Sequence, residues 1–181
     1  KEFQASSPDE IALVQFAESL GVELEERNET HVRISTKYKE KVLDQDGKEI
    51  EIENQIQLEY DILDNFPFSS ETKRMGIIVR NRETGQITFY LKGAEVILMK
   101  KVMPEQRSAL AESCEQLAQD GLRTLVISQK ELPEQEYEKF CQRIRNARAS
   151  MGDRAKQINQ VIETIEDNME FLAVTGVEDR L

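Results

Sequence analysis

The first pattern along the chain is helical: Leu13, Phe16, Ala17 and Leu20 recur at spacings of three and four, which predicts a helix with one buried face. Ser7-Pro8-Asp9-Glu10 ahead of them supplies a capping Ser, a Pro at the first helical position and a Glu three residues after the cap, and Gly21 is a natural stop. The period then falls to two. His31-Val32-Arg33-Ile34 reads as a strand, and Val42-Leu43 and Ile50-Glu51-Ile52 read as the arms of a hairpin turning at Asp46-Gly47. Ile56, Leu58, Tyr60 and Ile62 alternate with Gln57, Glu59 and Asp61, which describes a half-buried strand leading into Phe66-Pro67-Phe68.

Residues 75–80 and 86–92 predict two further strands that pair antiparallel across a polar loop containing Gly85. After Lys92-Gly93-Ala94 the period becomes helical to about Val102, and a second helix from about Pro104 carries Leu110, Cys114 and Leu117 up to Gly121. Leu122 to Gln129 returns as a strand. Two amphipathic helices follow, one with Tyr137, Phe140, Cys141 and Ile144, the other with Ile158, Val161, Ile162, Ile165 and Met169. Phe171-Leu172-Ala173-Val174 closes as a strand. The chain shows no internal repeat, and the fold class expected is α+β, an antiparallel sheet flanked by helices.

Composition narrows the functions available. With 24 Lys and Arg against 35 Asp and Glu, the 181 residues carry a formal charge of −11, which argues against broad nucleic-acid or anionic-membrane binding. A 39% hydrophobic share suits one ordinary globular domain. No run approaches the roughly 18 apolar residues of a membrane span, and the opening Lys1-Glu2-Phe3-Gln4 lacks the apolar core of a signal peptide. Two cysteines, Cys114 and Cys141, lie in apolar stripes and read as buried structural thiols in a reducing, cytosolic setting. With a single histidine, His31, a Ser-His-Asp triad, a His-Glu-x-x-His zinc site and a di-histidine metal site are all disfavoured, and His31 itself reads as structural. No metal site is expected.

Common phosphate-loop, dinucleotide and nucleophile-elbow motifs are absent. Phe66-Pro67-Phe68-Ser69-Ser70-Glu71-Thr72-Lys73-Arg74-Met75 stands out instead, an aromatic pair followed by a basic pair between two strands. An exposed ring there could stack a purine with lysines at its phosphates; equally, both Phe could be core and Lys73 and Arg74 a solvated loop. Lys92-Gly93-Ala94, at a strand-to-helix junction, suits either an anion or a simple turn, and Arg123 in Gly121-Leu122-Arg123-Thr124 suits either a phosphate or a surface ion pair. Glu10 closes a capping box in its simplest reading.

These motifs, in this order, resemble the nucleotide-binding domain of P-type ATPases, and most closely that of the type-IV lipid flippases. The resemblance rests on Phe3-Gln4-Ala5-Ser6-Ser7-Pro8-Asp9-Glu10, on Phe68 with Lys73-Arg74-Met75, on Lys92-Gly93-Ala94, on Gly121-Leu122-Arg123-Thr124-Leu125 and on Thr175-Gly176-Val177-Glu178-Asp179-Arg180-Leu181. It implies that adenine stacks on Phe68, that Lys73 and Lys92 line the adenine and phosphate side, that Glu10 faces the base and that Arg123 reaches toward the phosphates of ATP. It further implies a nucleotide-binding domain over residues 1–174, with 175–181 beginning the strand that returns into a phosphorylation domain.

The family's Asp-Lys-Thr-Gly-Thr phosphorylation motif, its Gly-Asp-Gly-x-Asn-Asp segment and its Thr-Gly-Glu actuator loop do not occur in the sequence. No residue of this chain is therefore expected to be catalytic. The resemblance implies an excised cytosolic domain of a multi-pass membrane protein that binds ATP without hydrolysing it. Mg²⁺ would be held mainly by the phosphorylation domain, and phospholipid handled by a transmembrane domain. Two departures occur. Phe66-Pro67-Phe68-Ser69 ahead of Lys73-Arg74-Met75-Gly76 replaces the Phe-Asn-Ser ahead of Lys-Arg-Met-Ser of many flippases, a variant similar to the branch of Golgi and endosomal membranes, and Lys92-Gly93-Ala94-Glu95 replaces Lys-Gly-Ala-Asp. A different class of function remains open, an acidic protein-interaction module with a vestigial pocket.

Overall fold

The computed structural model describes residues 4, 5 and 7–178, so that Phe3, Ser6 and residues 179–181 of the motifs above lie outside the described residues. It divides into two compact units. The first holds the described residues up to Ile62 together with Asn81–Gly85, and the second holds Leu63–Arg80 together with the described residues from Gln86 onward. The seven strands hydrogen-bond in chain order, and the fold is α+β as the patterning predicts.

In the first unit, helix α1 (Pro8–Ser19) begins as its sequence dictates: Ser7 Oγ accepts from the Glu10 amide at 3.4 Å and Pro8 occupies the first turn. Strands β1 (Val22–Arg27) and β2 (His31–Leu43) pair antiparallel, and β2 pairs with β3 (Glu49–Phe66), which continues into the second unit. The expected short strands thus fuse into a long ribbon. Its hairpin closes at residues 44–48, where the Asp44 carboxylate accepts from the amides of Asp46 and Lys48, both at 2.9 Å. Asx-type capping of this kind is why Asp-x-Asp-Gly turns a chain. The buried face expected for α1 is not found: none of its residues is buried, and Phe16 and Leu20 are exposed. Spacing creates an apolar stripe, but burial needs a second layer, and α1, packed beside β1, leaves Ile11, Leu13, Val14 and Ala17 half-buried.

An ion cluster ties this unit's strands. Arg33 Nε donates to Glu59 at 2.8 Å, while Arg82 donates to Glu59 at 3.1 Å and to Asp61 at 2.8 Å. The Arg33 hydrogen bond, seconded by Arg82, holds the Glu59 carboxyl below its ordinary 4.5. A carboxylate with a depressed folded-state pKa contributes stability above the unfolded value and loses it as pH falls through the folded one. Carboxyl NMR should therefore give Glu59 a midpoint below 4.5, moving back toward that value in Arg33→Gln. An unmoved midpoint would remove Arg33 as the cause.

The second unit contains the core. Strands β4 (Arg74–Asn81), β5 (Ile87–Gly93), β6 (Arg123–Glu131) and β7 (Glu170–Val177) pair antiparallel in that order. Helices α2 (Glu95–Leu98), α3 (Arg107–Gln119), α4 (Glu134–Arg148) and α5 (Arg154–Glu163) accompany them. Along β5 the alternation is strict: Ile87, Phe89 and Leu91 are buried with Leu110 and Cys114 of α3 and Phe140 and Ile144 of α4, while Thr88, Tyr90 and Lys92 turn to the other face. Cys114 is buried as expected, and burial, with Glu95 second, pushes its thiol up to about 11. Cys141 is only half-buried.

Two helices are shorter than the periodicity predicts. The helix after Ala94 ends at Leu98 instead of Val102, because Val102 leaves to bridge Met169 and the following Pro104 disfavours helical geometry at Met103. The last helix ends at Glu163, so Ile165 and Met169 are core residues off its end rather than on its face.

Candidate functional site

The Phe-Pro-Phe segment divides at its proline. Phe66 ends β3 in the core, only 8% exposed, with its ring edge-on to Phe89 at 6.3 Å and to Phe140 at 6.0 Å. Phe68, two residues on, is 59% exposed in the loop before β4. A large ring held at the surface beside a buried one is available for stacking, whereas the reading that put both rings in the core fails for Phe68.

The loop that follows is built tightly. Ser69 Oγ accepts from the Thr72 amide at 3.1 Å and lies 2.7 Å from Thr72 Oγ1, and the Ser69 carbonyl accepts from the Lys73 amide at 2.8 Å. Lys73 is thereby turned into the left-handed region at φ 52°, and its carbonyl accepts from the Ala94 amide at 3.1 Å. A side chain at Gly93 would not fit. An added β-carbon would come within 2.6 Å of the Lys73 carbonyl oxygen and 2.8 Å of Arg74 Cβ. The Lys-Arg and Lys-Gly-Ala motifs, distant in sequence, are therefore one packed feature, joined by the Arg74–Gly93 and Met75–Lys92 pairs of the β4–β5 ladder.

The basic pair also divides, and the solvated-loop reading of Arg74 is overturned. Lys73 is exposed, but Arg74 is 7% exposed, its Nε donating to Glu166 at 2.6 Å and its Nη2 to Asn159 at 2.8 Å. Glu166, 2% exposed, also accepts from Lys101. A buried guanidinium requires such a partner, because leaving the charge unpaired costs several kcal/mol, about 3–5. Arg74 is thus unavailable to a ligand and anchors the strand that carries Lys73.

Alternation assigns the rest. Residues directly opposite in a ladder share a face, so Met75, Lys92 and Ile127 form one row across β4, β5 and β6. Leu125 and Arg123 continue that face along β6, Arg123 standing roughly 13 Å of strand from Ile127 at about 3.3 Å per residue. Arg74, Gly76, Leu91, Gly93 and Val126 occupy the opposite, core face. Gly76 belongs to it as well: a β-carbon there would meet the Phe89 ring at 2.7 Å, so the hydroxyl of a Ser at this position would enter the core and not the Lys92 face.

A cavity of about 320 Å³ also opens on the core side, lined by Phe66, Thr72, Arg74, Ile158, Asn159 and Glu166 among others. None of Phe68, Lys73, Lys92 or Arg123 lines it. The structure thus groups Lys92, half-buried, and Arg123, exposed, on the sheet face opposite the core, with Lys73 and Phe68 in the loop before β4. Glu10 is in the first unit, half-buried in the opening turn of α1. Among the described residues no group of three His, Cys, Asp or Glu could hold a metal ion, and no helix is long and apolar enough to cross a membrane. Sequence reasoning missed Glu166, Asn159 and Lys101; the one signal was a basic pair too close to a strand start for both members to be solvated.

Comparison with known proteins identifies the family. Residues 2–181 match the family described as P-type ATPase, cytoplasmic domain N. The chain is 42% identical over all 181 residues to the probable phospholipid-transporting ATPase IIB of Bos taurus and 44% to that of Danio rerio. It is 39% identical over 180 residues to the phospholipid-transporting ATPase NEO1 of Saccharomyces cerevisiae. It spans 14% of the length of each of these relatives.

Proposed function

Because the chain belongs to the P-type ATPase family as its cytoplasmic domain N, we propose that it binds ATP and presents the γ-phosphate to an aspartate on a separate phosphorylation domain of a longer, phospholipid-transporting protein. The observation that carries this reading is the exposed Phe68 beside the locked Lys73 turn. Adenine stacks on Phe68, Lys73 and Lys92 line the adenine and phosphate side, and Arg123 reaches toward the phosphates. Glu10 is assigned to the base on the family resemblance. Such a site uses positioning and charge, which is most of what phosphoryl transfer asks of a protein.

The chain's own residues bind and orient; they supply no phosphate acceptor, so the domain alone binds without turning over. Mg²⁺ enters with the nucleotide as substrate, and its remaining ligands are assigned to the phosphorylation domain, into which residues 175–181 lead. A lipid path in the transmembrane part of the longer protein, and its place in Golgi or endosomal membranes, follow from the same reading.

An affinity of roughly 0.1–1 mM is expected for half a site, about −4 to −5.5 kcal/mol. An amide NMR titration with ATP should give saturable shifts at Phe68, Lys73, Lys92, Arg123 and Glu10. Phe68→Ala should weaken binding by the value of one stacked base, about 1–3 kcal/mol or ~5- to 150-fold, with little change in stability because the ring is exposed. Unchanged affinity would remove Phe68 as the platform, and no shifts at millimolar ATP would favour the acidic interaction module.

A further inference from the structure

The ribbon of β2 and β3 outruns its neighbour in the first unit. The β1–β2 register begins at Val22 opposite Thr36, and the last contact before it is the Lys37 amide donating to the Gly21 carbonyl at 3.3 Å. Among the described residues no strand follows β2 from Tyr38 to Leu43 on that side. Backbone groups alternate along a strand, so the N–H and C=O of Lys39 and Lys41 aim the same way as the Lys37 N–H, into this open edge. Unpaired edge groups of this kind are a template for another strand.

The side chains on the edge are sorted by charge. Lys37, Lys39 and Lys41 share one face, opposite Gln55, Glu53 and Glu51 of β3, and exposed ion pairs join Lys39 to Glu51 at 3.4 Å and Lys41 to Glu49 at 3.7 Å. The other face carries exposed apolar residues, Tyr38 at 44%, Ile50 39%, Ile52 42% and Ile56 44%, with Glu40 and Asn54 hydrogen-bonded to each other at 3.0 Å among them. Lys39 and Lys41 therefore have acidic residues opposite them on one side and an empty row on the other. In a sheet, opposite charges directly across stabilise and like charges destabilise.

A second copy docking edge to edge would set lysine rows against each other. Within this chain the runs that alternate acid and apolar residues, at 22–25, 49–53 and 58–62, already pair with β2 as parts of β1 and β3. We propose that the Tyr38–Leu43 edge receives an extended segment of a separate protein, in which acidic residues alternate with β-branched or aromatic ones. It would add a strand by main-chain hydrogen bonding, its acids facing Lys39 and Lys41 and its apolar residues extending the Tyr38, Ile50 and Ile52 face.

The test uses the whole chain and a synthetic peptide, acetyl-Glu-Val-Glu-Ile-Glu-Val-Glu-amide. Saturable amide shifts over residues 37–43, slowed hydrogen exchange at the Lys39 and Lys41 amides, and weakening with salt are expected. Proline at 39 and 41 removes two edge-facing amides and both ammonium groups but no backbone donor that β3 uses, so Lys39→Pro/Lys41→Pro should reduce binding at least tenfold while cross-strand signals between β2 and β3 persist. Lys39→Glu/Lys41→Glu should transfer preference to the same peptide with Lys in place of Glu, which keeps the test decisive where the proline variant unfolds the ribbon. Equal binding of a peptide with its acids clustered at one end, shifts confined to other residues, or concentration-dependent self-association through 37–43 would each overturn the proposal, the last in favour of a second copy.

Discussion

Glu166→Ala is expected to lower the unfolding free energy by about 3–5 kcal/mol, a large part of the stability of a domain this size. Glu166 is the shared acceptor of Arg74 and Lys101, and its removal strands a buried guanidinium. Lys101 has part of its side chain in water and can turn outward; Arg74 has no such escape. The expected signature in denaturant melts is a lower midpoint with an unchanged slope. Replacing both partners, Arg74→Met with Glu166→Leu, should recover much of the loss, because a hydrophobic pair of similar volume removes the desolvation cost along with the attraction. A single variant costing less than about 1 kcal/mol would mean that Arg74 reaches water in solution.

Gly93→Ala carries the second large effect. The new methyl meets the Lys73 carbonyl oxygen at 2.6 Å and Arg74 at 2.8 Å, and backbone cannot yield as a side-chain end can. Overpacking of this kind costs about 1–3 kcal/mol, and the upper half of that range is expected here. The same displacement loosens the Ala94 to Lys73 hydrogen bond that fixes the turn, so ATP affinity should fall in conditions where the variant remains folded. A destabilised variant with unchanged ATP affinity would separate the turn from the nucleotide site.

Both effects concern the same few residues, those that hold the turn carrying the candidate site's Lys73. Lys73 is held by the Ser69 turn on one side and by Ala94 on the other, and the strand it opens is pinned by Arg74. Exposed lysines that must meet a phosphate gain affinity when their backbone is fixed beforehand, since less freedom is lost on binding. The core supplies rigidity on one face of the sheet, and the candidate Lys92 and Arg123 stand on the other.

Local patterning alone determined much of this protein. The Ser7 cap, the hairpin at Asp46-Gly47, the antiparallel partners at 75–80 and 86–92 and the α+β class were legible because each depends on hydrogen bonds and alternation within a few residues. The five candidate site residues were named from motifs and family resemblance. Tertiary structure decided which of two adjacent residues went inside: Phe66 and not Phe68, Arg74 and not Lys73. It also decided that α1 would leave Phe16 and Leu20 in water and that the last helix would stop at Glu163. The physical reason is common to these cases. Burial depends on what a second layer places opposite a residue, and the partner of Arg74 stands 92 residues away along the chain, where no local pattern can show it.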